Sequence, residues 1–202
     1  MKNLLDMRLI KKIIIIITLI ISFQSLTKAD DIRDFEIEGI SIGDSLLDYV
    51  NKKDIKKQYY PKSTKYVWTW HNNLLSSNKY DGFRFHYDPN DKNLKIYSLS
   101  GYIYLKNNMK SCLEKKKIII DELDNLFVNA KKKPISDKMK HPSDPTGKSL
   151  YTYANFKLTN GTIAIECTNW SKKIESKYNW VDNLSIIIQT NEFADWLRYD
   201  AR

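Results

Sequence analysis

The chain has 202 residues, with 33 Lys plus Arg against 24 Asp plus Glu, 42% hydrophobic residues, 6 Gly and 2 Cys. Charge and apolar content are both ordinary, which excludes a disordered tail, a collagen, a coiled-coil rod and a disulfide-dense miniprotein and leaves one globular domain or two small ones. The formal charge of +9 does not indicate nucleic acid, because a nucleic-acid binder clusters Arg and Lys on one element and here acidic residues are interspersed nearly everywhere.

Lys2, Arg8, Lys11 and Lys12 precede the apolar run Ile13 to Phe23, the order of an export signal. Such a run of helix spans about 16 Å, roughly half of a ~30 Å hydrocarbon core, and is short for a permanent span. Thr27 and Ala29 stand at the minus-three and minus-one positions of a cleavage site before Asp30. Residues 1–29 therefore read as a signal peptide, with Met7 as an alternative start, and residues 30–202 as an exported domain. The expected location is periplasmic or secreted. The alternative is an uncleaved inner-membrane anchor at residues 13–23 holding the same domain outside. Residues 1–29 carry five basic and one acidic side chains, so the exported domain has a formal charge of +5. No Cys lies near the cleavage point, so no lipoprotein anchor is expected.

Phe35 to Ile42 alternates apolar and polar and predicts a short strand. Asp44 then reads as the N-cap of a helix with Leu46, Leu47 and Val50 on one face, which Asn51 to Gln58 continues or follows as a second short helix, the stretch ending at Tyr59-Tyr60-Pro61. Three strands are predicted next: Lys65 to Trp70; Gly82 to Tyr87, with Phe83, Phe85 and Tyr87 on one face and Arg84 and His86 on the other; and Leu94 to Leu105. Asp88-Pro89-Asn90-Asp91 is a turn. The strongest helix runs from about Asn108 to Val128, where Met109, Cys112, Leu113, Lys116, Ile119, Ile120, Leu123, Leu126 and Phe127 recur at three- and four-residue steps.

Residues 131–148 form a basic stretch with three prolines and no periodicity, expected to be a long loop, disordered or functional. Leu150 to Leu158 and Thr162 to Cys167 flank the hairpin turn Thr159-Asn160-Gly161. A last strand, Asn183 to Gln189, leads into a short C-terminal helix capped by Thr190 or Asn191 and carrying Phe193, Trp196 and Leu197. The fold class is therefore α+β: two tandem halves, each a helix plus a three-stranded antiparallel sheet, over residues of about 36–106 and 107–202, with a short C-terminal helix.

This element order resembles the tandem architecture of the β-lactamase inhibitor proteins, and each half is similar to the small outer-membrane assembly lipoproteins. Ile40 to Leu47, Tyr80-Asp81-Gly82, Ile96 to Gly101 and Lys140-His141-Pro142 further resemble a family of uncharacterised exported proteins of small, AT-rich marine bacterial genomes. That resemblance implies an exported location and no particular chemistry.

Cys112 and Cys167 both lie in the exported part, and in an oxidising compartment two lone cysteines pair. A bridge closing a loop of this length contributes about 4 kcal/mol on the chain-entropy estimate. The competing reading, a reactive thiol assisted by His71, His86 or His141, lacks any Cys-x-x-Cys or protease-like signature.

Gly147-Lys148-Ser149 fails as a phosphate loop, since Pro142 stands where the earlier glycine belongs. His141 with Asp137 and Asp144 lacks a spaced second His or Cys ligand, and His71 with His86 beside Arg84 lacks a third ligand, so no metal or cofactor is expected. The sequons at Asn160, Asn169 and Asn183 are coincidental in a bacterial chain.

The aromatic content, 5 Trp and 13 Tyr, points to recognition, because rigid rings offer large contact area at low entropic cost. Trp68, Trp70, Arg84, His86, Tyr102 and Tyr104 are the candidate binding residues, with Tyr151 and Tyr153 on a second strand pair. Packing of Trp68 and Trp70 over a helix is the competing reading. The chain reads as a non-enzymatic interaction or envelope-accessory module presenting an aromatic sheet surface to an envelope or periplasmic protein. The alternative is a binder of a small anionic ligand or glycan beneath loop 131–148. Neither nucleic acid nor, apart from the signal segment, a membrane is an expected partner.

Overall fold

The structure, a computed structural model, describes residues 31–72, 74, 79–128, 130–133 and 138–201. The signal-peptide reading of residues 1–29 and the pairing of Asp137 with His141 lie outside them. The fold is mixed α+β and is organised by one antiparallel sheet. Its strands are β3 (Val67–Asn72), β4 (Gly82–Tyr87), β5 (Ile96–Tyr104), β6 (Lys131–Lys133), β7 (Met139–Lys140), β8 (Leu150–Lys157), β9 (Gly161–Asn169) and β10 (Asn183–Thr190). They run in the spatial order β3-β4-β5-β10-β9-β8-β6, with β7 on the same outer edge of β8 as β6.

Strand alternation divides this sheet into two faces. One carries Phe83, Phe85, Leu99, Ile163, Ile165, Leu184, Ile186 and Ile188, all buried. Against it pack α1 (Met109–Leu126), the N-terminal hairpin β1 (Glu36–Ile37) and β2 (Ile40–Ser41), and Leu46 and Val50. Each fully buried side chain of this kind contributes roughly 1.5–3 kcal/mol. The β1–β2 turn places both Glu38 and Gly39 at positive φ, 56° and 77°, which gives the twist a two-residue hairpin needs.

Asn108 caps α1, its Oδ1 accepting from the Ser111 amide at 3.0 Å. Cys112, Lys116 and Leu123 face the sheet, whereas Leu113 and Leu126, which the periodicity places on the same stripe, are exposed. A Cys112–Cys167 disulfide fastens the helix to β9. On the neighbouring strand Thr152 is in register with Cys167, and the Lys116 Nζ donates to Thr152 Oγ1 at 3.0 Å.

Three expectations are corrected. Where one α-helix, or two in succession, is predicted over residues 44–58, there are two separate 3₁₀ turns, Leu46–Asp48 and Lys52–Asp54. Only Leu46 and Val50 of that stretch are buried, less than two turns of apolar face, and Asn51 is extended. Asp44 does not cap: its Oδ2 accepts from the Ser41 amide and the Tyr49 hydroxyl, and Ser45 caps instead. Residues 131–133 and 138–148 are ordered rather than a free loop. Asp144 is buried and accepts from the backbone and side-chain groups of Thr146 and Ser149 and from the Ser171 hydroxyl, all at 2.6–2.9 Å. This shell of donors holds its carboxyl well below the usual carboxylate range against the opposing effect of burial. It also accounts for Gly147 and Ser149 structurally. The third correction is an added helix, α2 (Lys172–Tyr178), with one buried apolar residue, Ile174, too few for periodicity to reveal.

Candidate binding face

The second sheet face carries every candidate side chain. Register aligns Trp70, Arg84, Ser100, Ile187, Ala164 and Asn155 on one rung across six strands. The next rung aligns Gly82, Tyr102, Ser185, Glu166 and Tyr153, and the one beyond it Tyr104, Asn183, Thr168 and Tyr151. On the opposite side of the Trp70 rung, Trp68 and His86 align with Ser98 and Gln189. Small hydroxyl-bearing residues thus occupy the middle strands, and aromatic residues stand on both sides of them.

Helix α3 (Asn191–Tyr199) follows β10 directly and covers the His86 end. Thr190 caps it through the Phe193 amide at 3.1 Å. Phe193 and Trp196 pack there with Tyr60 and Tyr66, and Phe193 lies 4.6 Å from the His86 ring. His86 is therefore enclosed, its Nε2 bonded to the Tyr60 hydroxyl at 2.9 Å. Burial, and secondarily the Arg84 charge, hold its pKa well below the ordinary value, so this imidazole is neutral. The proposed meeting of His71 with His86 does not occur, because His71 is in register with Phe83 on the helix-packed face.

Along one margin Trp70 and Tyr102 pack at a tilt of 50° with ring centres 4.8 Å apart, and the Arg84 guanidinium lies 5.4 Å from the Tyr102 ring. The Trp70 indole lies over Gly82, so close that a Cβ there would sit 2.3 Å from the ring. Its Nε1 donates to Asn72 Oδ1. Tyr104, at the end of β5, is exposed. Trp68 is half-buried, its backbone bridged on the sheet edge by Gln58.

The opposite margin was not legible in the sequence. Ordered residues 138–148 bring His141 against Tyr151 and Trp170, at 5.3 and 4.2 Å. The ring row continues through Trp180, 4.5 Å from Trp170, to Tyr178. Asp182 fixes this end, its carboxylate accepting from the backbone amides of Asn107 and Trp170. His141 Nε2 lies 3.8 Å from Glu166 Oε1. Burial raises the Glu166 pKa, against the Thr168 hydroxyl bond and the Arg84 and Lys116 charges. Arg84 and Glu166 stand three strands apart, about 14 Å at ~4.8 Å per strand. The face thus has a cationic and an acidic flank.

Among the described residues no group of His, Cys, Asp and Glu is placed to hold a metal ion, and no helix is long and apolar enough to cross a membrane. No family model matches the chain, and no curated protein or solved structure matches it either.

Proposed function

We propose that this is an exported, non-enzymatic interaction module whose aromatic sheet face docks a protein partner of the cell envelope. The observation that carries the reading is the register. Trp68, Trp70, Arg84, Tyr102 and Tyr104, together with Tyr151 and Tyr153, all project from one side of one sheet. Rigid aromatic and Arg side chains around a polar middle are the composition of binding hot spots. The Cys112–Cys167 disulfide supports a periplasmic or secreted location after removal of residues 1–29.

The strand order also supports two tandem halves, residues 36–106 and 107–202. Strands β3-β4-β5 and β8-β9-β10 are each antiparallel meanders, and their last members, β5 and β10, pair with one another. The resemblance to β-lactamase inhibitor proteins implies a helix in each half as well, and in the first half two 3₁₀ turns stand in its place. A lid role for residues 131–148 over a small ligand fits less well, because β6, β7 and the Asp144 hydrogen bonds fasten the segment to the β8 edge.

The test is affinity capture of tagged protein from the native envelope with a high-salt wash, which removes contacts held by net charge alone. Wild-type protein retains one protein partner, and Trp70→Ala with Tyr104→Ala loses it. Retention by the double variant would refute the assignment of the face.

A further inference from the structure

Positive charge is concentrated at one place in the fold. Residues 131–157 hold seven Lys against Asp137 and Asp144, a net charge of +5. Residues 30–202 together carry the same +5, so the rest of that stretch is balanced. The pairing of β6 and β7 with β8 gathers these scattered lysines on the outer edge of the sheet. Lys131 is directly opposite Lys157, and Lys140 lies against Gly147, next to Lys148. Lys131, Lys138, Lys140, Lys148 and Lys157 are all exposed. Among the described residues none of these five is in an ion pair. Lys132 pairs with Asp124, and Asp144 is buried among its own donors.

Like charges directly opposite one another destabilise a strand pair. The Lys131–Lys157 pair has no acidic residue on its rung, which continues through Thr162, Gln189 and Ser98, so an anion at this edge would relieve it. The row is also long and unselective. From the Lys131 pair to Met139, opposite Tyr151, it extends about 20 Å at ~3.4 Å per residue. Residues 131–157 contain no Arg; lysine is a flexible point charge, whereas the planar fork of arginine selects single carboxylates and phosphates. Within the row Met139 is 42% exposed, between Lys138 and Lys140, and Leu126 and Val128, just ahead of β6, are exposed too. Guarding a sheet edge against pairing accounts for lysines on β6 and β7, but not for an exposed methionine among them. A small anion would engage two or three of these lysines. Only an extended anionic surface meets the whole row, and a bilayer also takes up the apolar side chains at headgroup level.

We infer that the β6–β7 edge rests on an anionic bilayer surface, with its lysines over lipid phosphates and Met139 entering the headgroup layer. Such a patch binds reversibly and is weakened by salt. The contact is separate from the aromatic docking site, since Trp70 is on β3, at the opposite edge of the sheet.

The test uses the full chain as isolated, disulfide intact, sedimented with vesicles of equal parts phosphatidylglycerol and phosphatidylcholine, or of phosphatidylcholine alone. The protein should bind the anionic vesicles at least tenfold more tightly at low salt and release them at high salt. Lys131→Gln with Lys157→Gln removes the opposed charges without straining the sheet and should weaken binding at least tenfold. Met139→Ser weakens it several-fold. Lys52→Gln with Lys53→Gln, the same change of charge on the 3₁₀ turn ahead of β3, leaves it unchanged. Equal binding to both vesicles, or binding that survives high salt, would assign the contact to the apolar residues 13–23 and overturn the inference. An equal loss in the Lys52 and Lys53 variant would overturn it in favour of net charge alone. Displacement by inorganic phosphate at the concentration of the lipid would reveal a simple anion site, and polyglutamate binding as tightly as the vesicles an acidic protein partner; either result overturns the bilayer. Absence of vesicle binding would leave the lysines as guards of the sheet edge and overturn it as well.

Discussion

Replacing Lys116 by Met tests the buried amine between α1 and β8. Lys116 is 2% exposed, and among the described residues its one hydrogen bond is to the neutral Thr152 hydroxyl. Burial lowers its pKa to about 8 from the ordinary 10.5, with the Glu166 charge pulling weakly the other way. Such a displacement disfavours the charged folded state by roughly 3 kcal/mol at neutral pH, which solvent screening from the helix flank reduces to about 2 kcal/mol. Met has similar volume and no charge; it leaves Thr152 Oγ1 without its donor, a loss of about 1 kcal/mol. Lys116→Met should therefore be about 1 kcal/mol more stable than wild type at pH 7 by urea unfolding of oxidised protein. The sign against pH follows from the lowered pKa. Between 8 and 10.5 the unfolded chain binds the proton that the folded one has released, so wild-type stability rises with pH in this window. The advantage of Lys116→Met should shrink by about 1 kcal/mol between pH 7.5 and 9.5. A constant difference across that range, or a strongly destabilised variant, would refute the reasoning.

Three further outcomes are expected. Reducing the Cys112–Cys167 bond, which closes a separation of 55 residues, should lower stability by about 4 kcal/mol in urea, and an unchanged midpoint would contradict it. Because His86 is held neutral by burial, stability is present above the unfolded pKa of about 6.5 and falls as pH drops through it, by up to ~1.4 kcal/mol per pH unit. His86→Phe should flatten that slope in thermal unfolding from pH 7 to 5. Gly82→Ala displaces the Trp70 ring; the expected cost is about 1 kcal/mol with a shifted tryptophan emission, and a native emission would show that the ring does not depend on that glycine.

Much of the sheet is readable from alternation alone. Phe83, Phe85 and Tyr87 against Arg84 and His86 already assign the two faces of β4, and the step pattern of Cys112, Lys116 and Leu123 already turns both the cysteine and the lysine inward. The disulfide follows from that placement together with the oxidising compartment that the N-terminal segment leads one to expect. The remainder depends on contacts distant in sequence. For Asp144 four of the five donors are local, from Thr146 and Ser149, and the Ser171 hydroxyl across the sheet is the distant one. The second margin of the face is nonlocal, since His141, Tyr151 and Trp170 meet only because β7 pairs with β8 and β8 with β9. Periodicity also overstates helices. Residues 44–58 have a helical spacing of apolar groups for a single turn, and the local Asp44 bond to the Ser41 amide with the tertiary Ser45 bond to the Asn93 carbonyl set the chain there.

The most direct measurement of the docking assignment is photocrosslinking in the native envelope from a photoreactive residue placed at position 104 on the aromatic face, compared with one at position 118 on the outer side of α1. Tyr104 and Ile118 are both exposed, at 39% and 58%. The assignment predicts a discrete protein adduct from position 104 and none from position 118, with the adduct lost when Trp70 is changed to Ala. Adducts from position 118 alone, or none from position 104, would contradict it.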